Sequence, residues 1–294
     1  MGYKAYGIGG TDHPNCRPND AGEFYEYDLS DNTWTTRTSR SDYLCAGNGG
    51  GSAYDNVYVW GGHAPAYDNR KHTKWNIAGL TWSNVMSLPH SVNYGSFPPM
   101  AGCMFTGKGL KYDWANDVWK GDIATYKGSL MFFAINAYLY YCGESYSSDL
   151  TSHKYDTDSQ VWSAITDLPW SGEQRASTCD GTYGYATNGQ TGGSYSSRVD
   201  RYDPSGNSWL QRADTGSPCR ANAGYALNGK AYVFGGYNCG GGCCATTYHG
   251  EYDNAGNSWT GKSSYPSSMN QQIGIAPPVN KMPNNPTGLS VSGT

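Results

Sequence analysis

The sequence predicts an all-β fold built from six copies of one structural unit. Three observations carry this expectation. A segment that starts in tyrosine and ends in tryptophan recurs along the chain. Short apolar runs ending in a glycine pair precede most of these segments. The composition, with 40 Gly, 14 Pro, 26 Tyr and 10 Trp in 294 residues, calls for many tight turns around an aromatic interior.

The recurring segment is best seen near the C-terminus. Tyr252-Asp253-Asn254-Ala255-Gly256-Asn257-Ser258-Trp259 echoes Tyr202-Asp203-Pro204-Ser205-Gly206-Asn207-Ser208-Trp209. The same offset recurs at Tyr27/Trp34, Tyr112/Trp119 and Tyr155/Trp162, and Trp75/Trp82 is a sixth copy with Trp in the Tyr place. Such a segment reads as a strand, a turn rich in residues that tolerate positive φ, and a returning strand. Tyr and Trp then form a cross-strand aromatic pair, an interaction worth about 0.2–1 kcal/mol. The second element is a strand-like run closed by glycines: Lys230–Gly236, Val57–Gly62 and Lys4–Gly10. Weaker versions end at Cys142-Gly143, Thr106-Gly107 and Asn188-Gly189. The glycine pair is expected to let a second backbone or a large ring approach closely.

Apolar strand, glycine pair, variable loop and Tyr-x6-Trp together resemble the kelch repeat. The resemblance covers roughly residues 1–280. It implies a six-bladed kelch-type β-propeller in which each repeat forms one four-stranded blade. Aligning Met1–Gly10 with Leu227–Gly236 places Met1 inside the hairpin between the first and second strands, so the first blade lacks its inner strand. The segment Gln271–Ala276 occupies the place that Ala221–Ala226 holds in the sixth repeat. It is therefore expected to complete the first blade, a closure that removes exposed sheet edges. Residues 281–294 are set apart as a linker. Pro283-Asn284-Asn285-Pro286-Thr287-Gly288-Leu289-Ser290-Val291 within them resembles the start of a fibronectin type III domain, which implies a neighbouring fibronectin-like domain in a longer chain.

Charge and hydropathy narrow the function. Leu, Ile, Val and Phe make up about 12% of the chain, a fraction that signals disorder only when net charge is high, and the formal net charge is −4. With no Lys/Arg cluster, nucleic acid is not an expected partner. No apolar run has the length of a membrane span, so direct membrane insertion is not expected either. The sequence holds no Gly-x-Ser-x-Gly elbow, no His-Glu-x-x-His and no phosphate-binding glycine loop. No catalytic residue, metal ligand or cofactor is assigned.

In a propeller the turns joining first to second and third to fourth strands share one face, and these are short here. The long segments, 11–23, 63–73, 144–153, 190–199 and 237–249, with the inter-blade links 83–97 and 163–176, fall on the other. They are rich in Tyr, Ser, Gly, Asn and His, a composition that suits adaptable binding loops. The candidate binding residues are His13, Arg17, His63, Tyr67, Arg70, His72, Tyr146, Tyr195, Arg198, Tyr237, Tyr248 and His249. Of the nine cysteines, Cys103, Cys142 and Cys179 fall on strands and are expected as buried fillers. Cys16, Cys45, Cys219, Cys239, Cys243 and Cys244 map to the long-loop face and are disulfide candidates, which implies an oxidising compartment. A metal site at Cys239, Cys243, Cys244 and His249 is disfavoured by the absence of paired CxxC knuckles.

The expected function is recognition. The domain would be extracellular, on a cell or virion surface, binding carbohydrate or a surface protein through its long-loop face, or serving as a subunit of a surface fibre. The alternative class is an enzyme. The resemblance admits one, because kelch propellers include the copper enzyme galactose oxidase and a sialic acid epimerase. A carbohydrate-active or copper oxidase-like site would then lie at the loop-face pore, although the copper enzyme's motif does not map onto this sequence.

Overall fold

The computed structural model describes residues 4–10, 22–40, 48–53, 55–62, 70–89, 103–105, 110–113, 116–120, 131–143, 149–238, 244–268 and 273–275. The regular elements among them are all strands, arranged in six main antiparallel sheets. Sheet 1 holds β1 (Lys4–Ile8), β2 (Phe24–Asp28) and β3 (Thr33–Thr36), with β27 (Ile273–Ile275) beside β1. Sheet 2 runs β4 (Asn48–Ala53), β5 (Asn56–Gly61), β6 (His72–Asn76), β7 (Thr81–Asn84). Sheet 3 has three described strands, β8 (Cys103–Phe105), β9 (Lys111–Asp113) and β10 (Val118–Lys120). Sheet 4 runs β11 (Phe132–Ile135), β12 (Tyr138–Cys142), β13 (Ser152–Asp156), β14 (Val161–Ile165). Sheet 5 holds β15 (Ala176–Cys179), β16 (Gly184–Thr187), β19 (Val199–Asp203) and β20 (Ser208–Arg212), and carries the separate hairpin β17 (Gln190–Thr191) and β18 (Ser194–Tyr195). Sheet 6 holds β21 (Ala223–Leu227), β22 (Lys230–Phe234), β25 (His249–Asp253) and β26 (Ser258–Gly261), with the hairpin β23 (Tyr237–Asn238) and β24 (Cys244–Ala245). Five sheets thus have four strands, and sheet 3 has three among the described residues. Residues 276–294, including the fibronectin-like tail, lie outside the described residues.

The six Tyr/Trp pairs sit directly opposite one another on the last two strands of their sheets. Their ring centroids lie 4.9–5.4 Å apart. In every copy the fifth residue after the Tyr position takes a left-handed conformation: Asn32, Leu80, Asp117, Gln160, Asn207 and Asn257, with φ between 44° and 59°. Asn and Asp tolerate that region better than other side chains bearing a Cβ.

The glycine pair answers to backbone conformation as well as to the close approach expected of it. Its first member is left-handed, with φ of 65° at Gly9, 63° at Gly61, 68° at Gly143 and 63° at Gly235, and Asn188 at 61° fills the place in sheet 5. Its second member has φ of 110° at Gly10, 111° at Gly62, 113° at Gly189 and 109° at Gly236, values that a residue with a Cβ rarely adopts. Backbone conformation therefore favours glycine at the pair. In sheet 4 the pair starts at Gly143, one residue later than the sequence pattern suggests. The expected close approach is present as well: a Cβ on Gly189 would lie 2.6 Å from Arg175 Cγ, and one on Gly236 2.8 Å from Cys219 Sγ. Single glycines of the inner strands are approached in the same way. A Cβ on Gly274 of β27 would lie 2.7 Å from the Gly224 carbonyl of β21.

Neighbouring sheets are joined by a repeated clasp. The Asn207 side chain accepts the Tyr202 hydroxyl at 2.8 Å within sheet 5 and the Thr166 N–H at 2.9 Å after sheet 4. The Trp209 indole then donates to the Thr166 carbonyl at 2.9 Å. The same arrangement links Asn257, Tyr252 and Trp259 to Ala213, Asp117, Tyr112 and Trp119 to Met86, and Asn32, Tyr27 and Trp34 to Ser263. The last clasp ties sheet 1 to sheet 6, ends of the chain that are 229 residues apart. Sheet 2 has only half a clasp, Trp82 to the Thr38 carbonyl at 2.7 Å, because Leu80 stands where the acceptor would be.

Aromatic clusters fill the seams in the same order. Tyr58 and Trp60 of sheet 2 pack with Tyr112 of sheet 3. Ile273 and Ile275 join Val57, Val59 and Trp75 between sheets 1 and 2. Tyr27 and Tyr232 meet between sheets 1 and 6, Tyr185 and Tyr252 between 5 and 6, and Phe133 and Tyr202 between 4 and 5. The described seams thus join sheets 4, 5, 6, 1, 2 and 3 in succession, and the strands β11, β15, β21, β27 and β4 adjoin one another on the inside.

Candidate ligand-binding face

The most fully described part of the long-loop face lies over sheets 5 and 6. Here the link 213–222 between the sheets is laced into its neighbours by backbone hydrogen bonds. Gly189 N–H donates to Cys219 O at 2.8 Å, and Ala221 N–H to Gln174 O at 2.8 Å. Arg220 and Tyr237 exchange both of their backbone bonds, at 3.0 and 2.8 Å, and Glu173 and Gln190 do the same, at 2.8 and 3.0 Å. Two short hairpins, β17–β18 and β23–β24, stand on this base and bring Tyr195 and Tyr237 together, with ring centroids 6.2 Å apart. The Arg220 guanidinium lies 5.9 Å from the Tyr195 ring and 5.4 Å from the Tyr237 ring, and it donates to the Gln190 side-chain carbonyl. All three side chains are half-buried.

A second arginine group lies beneath. Arg175 is wholly buried, donates to Asp200 at 2.8 Å and to the Ala186 carbonyl at 2.6 Å, and stacks 5.0 Å from the Trp170 ring. Burial pulls its guanidinium down from its ordinary value, against the opposing pull of the Asp200 carboxylate. Arg198 grips Asp200 from the other side, through Nε at 3.0 Å and Nη2 at 2.8 Å. Truncating one member of such a buried pair typically costs about 3–5 kcal/mol. This lower layer therefore anchors the platform.

The binding residues inferred from sequence divide sharply. Tyr195 and Tyr237 form the platform. Arg198 borders it, but its charge is spent on Asp200. Tyr248 is a strut: it is half-buried and its hydroxyl bridges to the Thr215 carbonyl at 2.8 Å. Arg70 is exposed. His13, Arg17, His63, Tyr67 and Tyr146 lie outside the described residues.

His72 and His249 are corrected. Neither belongs to an exposed face, for both open the third strand of their sheets and are only 1% and 2% exposed. His249 packs edge-on to Tyr27 at 4.7 Å, faces the Ser263 carbonyl through Nδ1 at 3.0 Å, and accepts the Tyr225 hydroxyl at Nε2, 2.7 Å away. Only the tautomer protonated on Nδ1 satisfies both contacts. His72 packs on Tyr112 at 4.4 Å and meets the Met86 carbonyl at 3.1 Å. Burial pushes the two imidazoles down to about 3 for His72 and about 4 for His249. Each fills the seam position that Phe24 fills in sheet 1, which explains its burial.

Cys219 is likewise corrected. It is a free thiol, fully buried, with the Asn188 amide donating to its sulfur at 3.1 Å, and burial raises it to about 12. Cys142 and Cys179 are free as well, Cys142 buried and Cys179 half-buried. Cys16, Cys45, Cys239 and Cys243 lie outside the described residues, as does the side chain of Cys244. Among the described residues no His, Cys, Asp and Glu group is arranged to hold a metal, and no helix is long and apolar enough to cross a membrane.

Sequence reasoning missed Arg220, Gln190 as its partner, and Trp170. Arg220 lies in the link between sheets 5 and 6, which was too short to stand out beside the longer loops. The signal that could have found it is the isolated Arg within a Cys-Arg-Ala-Asn stretch that immediately precedes an inner strand.

No family model matches the chain. It is similar to Kelch-like protein 23 of Mus musculus, 24% identical over 268 residues that cover 84% of this chain and 47% of the relative. The chain thus spans about half the length of that curated relative. Among solved structures it is similar to YjhT, with a TM-score of 0.63 and 14% identity over 78% of this chain and 87% of the other. The sheets, their seams and these likenesses agree that the fold is an all-β propeller.

Proposed function

We propose that the chain is a protein-binding propeller that seats its partner on the long-loop face, over sheets 5 and 6. The observation that carries this reading is the Tyr195–Arg220–Tyr237 platform, raised on two hairpins and held from below by paired backbone bonds. Tyr and Arg are the side chains most enriched where binding energy concentrates, and a rigid scaffold lowers the entropy lost on docking. The likeness to a kelch-like relative supports a binding role in preference to an enzymatic one.

In this reading the propeller has six blades, sheet 3 being the third, because its Tyr112–Trp119 pair and Asp117 turn repeat the pattern of the other five. Strand β27 completes the first blade through its pairing with β1. We place the domain on a cell or virion surface, displayed in a longer chain. The support for that placement is the cysteine content of the loop segments and the fibronectin-like pattern of the tail.

The test is a pull-down from the native surface, run beside a glycan array, with face-separated variants. The double substitution Tyr195→Ala, Tyr237→Ala should abolish capture and leave the melting temperature close to wild type. Ala255→Lys and Asp158→Lys, on exposed turns of the opposite face, should leave capture intact. Capture lost only in the turn variants would refute the reading, and glycan binding without protein capture would replace protein by carbohydrate as the ligand.

A further inference from the structure

Among the described residues three arginines lie on this face over sheets 5 and 6, and one buried carboxylate, Asp200, answers two of them, Arg175 and Arg198. Arg220 pairs with no carboxylate among the described residues, and its described polar partner is the neutral Gln190, at Nη1. The exposed Glu173 and Asp214 lie on the same face without pairing to it. Its backbone is fixed in both directions by Tyr237, so the root of the side chain is immobile. The two tyrosine rings adjoin it, each within 6 Å of the guanidinium carbon. A half-buried guanidinium in such a setting is a strong but unspent donor. With Nη1 held by Gln190, the Nε and Nη2 donors remain for a planar, two-oxygen acceptor, the geometry of a carboxylate. Ring walls that thin the surrounding water strengthen that attraction.

We propose that Arg220, beside the Tyr195 and Tyr237 rings, receives an acidic side chain, Asp or Glu, from the partner polypeptide. This deepens the proposed function and rests on it. The rings supply apolar contact to the residues flanking the acid, and the arginine supplies selectivity. A partner that leaves Arg220 empty would gain the contact area and lose the charge-assisted bonds.

The experiment is selection of a random heptapeptide library on the immobilised protein, followed by retesting of the selected sequences as synthetic peptides capped at both ends. Enriched peptides are expected to share an Asp or Glu. Arg220→Gln should weaken their binding by roughly ten-fold or more, in line with loss of a charge-assisted pair, without changing the melting temperature. Replacing the peptide's acid by its amide should cause the same loss in wild type and little further loss in Arg220→Gln. Arg220→Lys, which keeps the charge and removes the fork, should fall between, and it serves as the test should Arg220→Gln fold poorly. Enrichment of peptides without an acid, binding that survives Arg220→Gln, or binding that needs an uncapped C-terminus would each overturn the proposal. Native capture that depends on Tyr195 and Tyr237 but not on Arg220 would overturn it too, while leaving the protein-binding reading intact.

Discussion

At the scale of single residues, the side chain five places after each tyrosine does more than shape a turn. Asn207 accepts one bond from its own sheet and one from the preceding sheet while occupying a left-handed conformation. Asn207→Ala would strand the Tyr202 hydroxyl and the Thr166 N–H, and should cost about 2 kcal/mol in denaturant unfolding. Leu80 occupies the same position with φ of 52°, accepts nothing, and is 47% exposed. Leu80→Asn should therefore stabilise the protein, by about 1 kcal/mol in the same measurement. The buried histidines set an acid limit. In the unfolded chain they titrate near 6.5, but in the fold they stay neutral down to about 3 and about 4. Below pH 6.5 the unfolded state binds more protons than the folded one. Stability must then fall as pH drops from 6.5 towards 4, at up to about 1.4 kcal/mol per pH unit for each histidine. His72→Phe, which borrows the residue sheet 1 uses at this position, should flatten the dependence of melting temperature on pH across that window.

At the scale of elements, the short strand β27 has a large role. It pairs with β1 through Tyr6↔Ile275, Gly7↔Gly274 and Ile8↔Ile273, and its two isoleucines enter the seam with sheet 2. It also lies against the inner strand of sheet 6, where Gly274 touches the Gly224 backbone. Gly274→Val should destabilise by about 1–3 kcal/mol through overpacking against a backbone that cannot move aside. An unchanged melting temperature would mean that β27 is not seated between sheets 1 and 6 as described. Hairpins β17–β18 and β23–β24 behave differently. They add no strand to the main sheets, and they place Tyr195 and Tyr237 on a surface whose stability comes from the layer beneath.

At the scale of the whole molecule, stability and the proposed recognition fall to different layers. The Tyr/Trp pairs, clasps and seams hold the ring, whereas the described part of the loop face offers rings and one unspent cation. Thiol chemistry divides the same way. Cys142, Cys179 and Cys219 should resist alkylation in the native protein and react after unfolding, because burial raises each thiol above its ordinary range. Non-reducing mass mapping should find at least one disulfide among Cys16, Cys45, Cys239, Cys243 and Cys244. Nine alkylatable thiols in unfolded protein would remove the support for surface display.

What the sequence determined by itself is the repeat. Turn chemistry and cross-strand aromatic pairing are local, so Tyr252 to Trp259 announces its hairpin without knowledge of the rest of the chain. The tertiary structure decided what each residue faces. His72 and His249 look like loop residues because they follow long variable segments, yet seam packing draws them inside. Cys219 looks like a surface thiol and lies under Gly236 and Asn188. Arg220 looks unremarkable in sequence, and it stands out because folding gives Arg175 and Arg198 to Asp200 and leaves Arg220 no carboxylate among the described residues. Burial and pairing are properties of contacts between distant segments, and no local pattern records them.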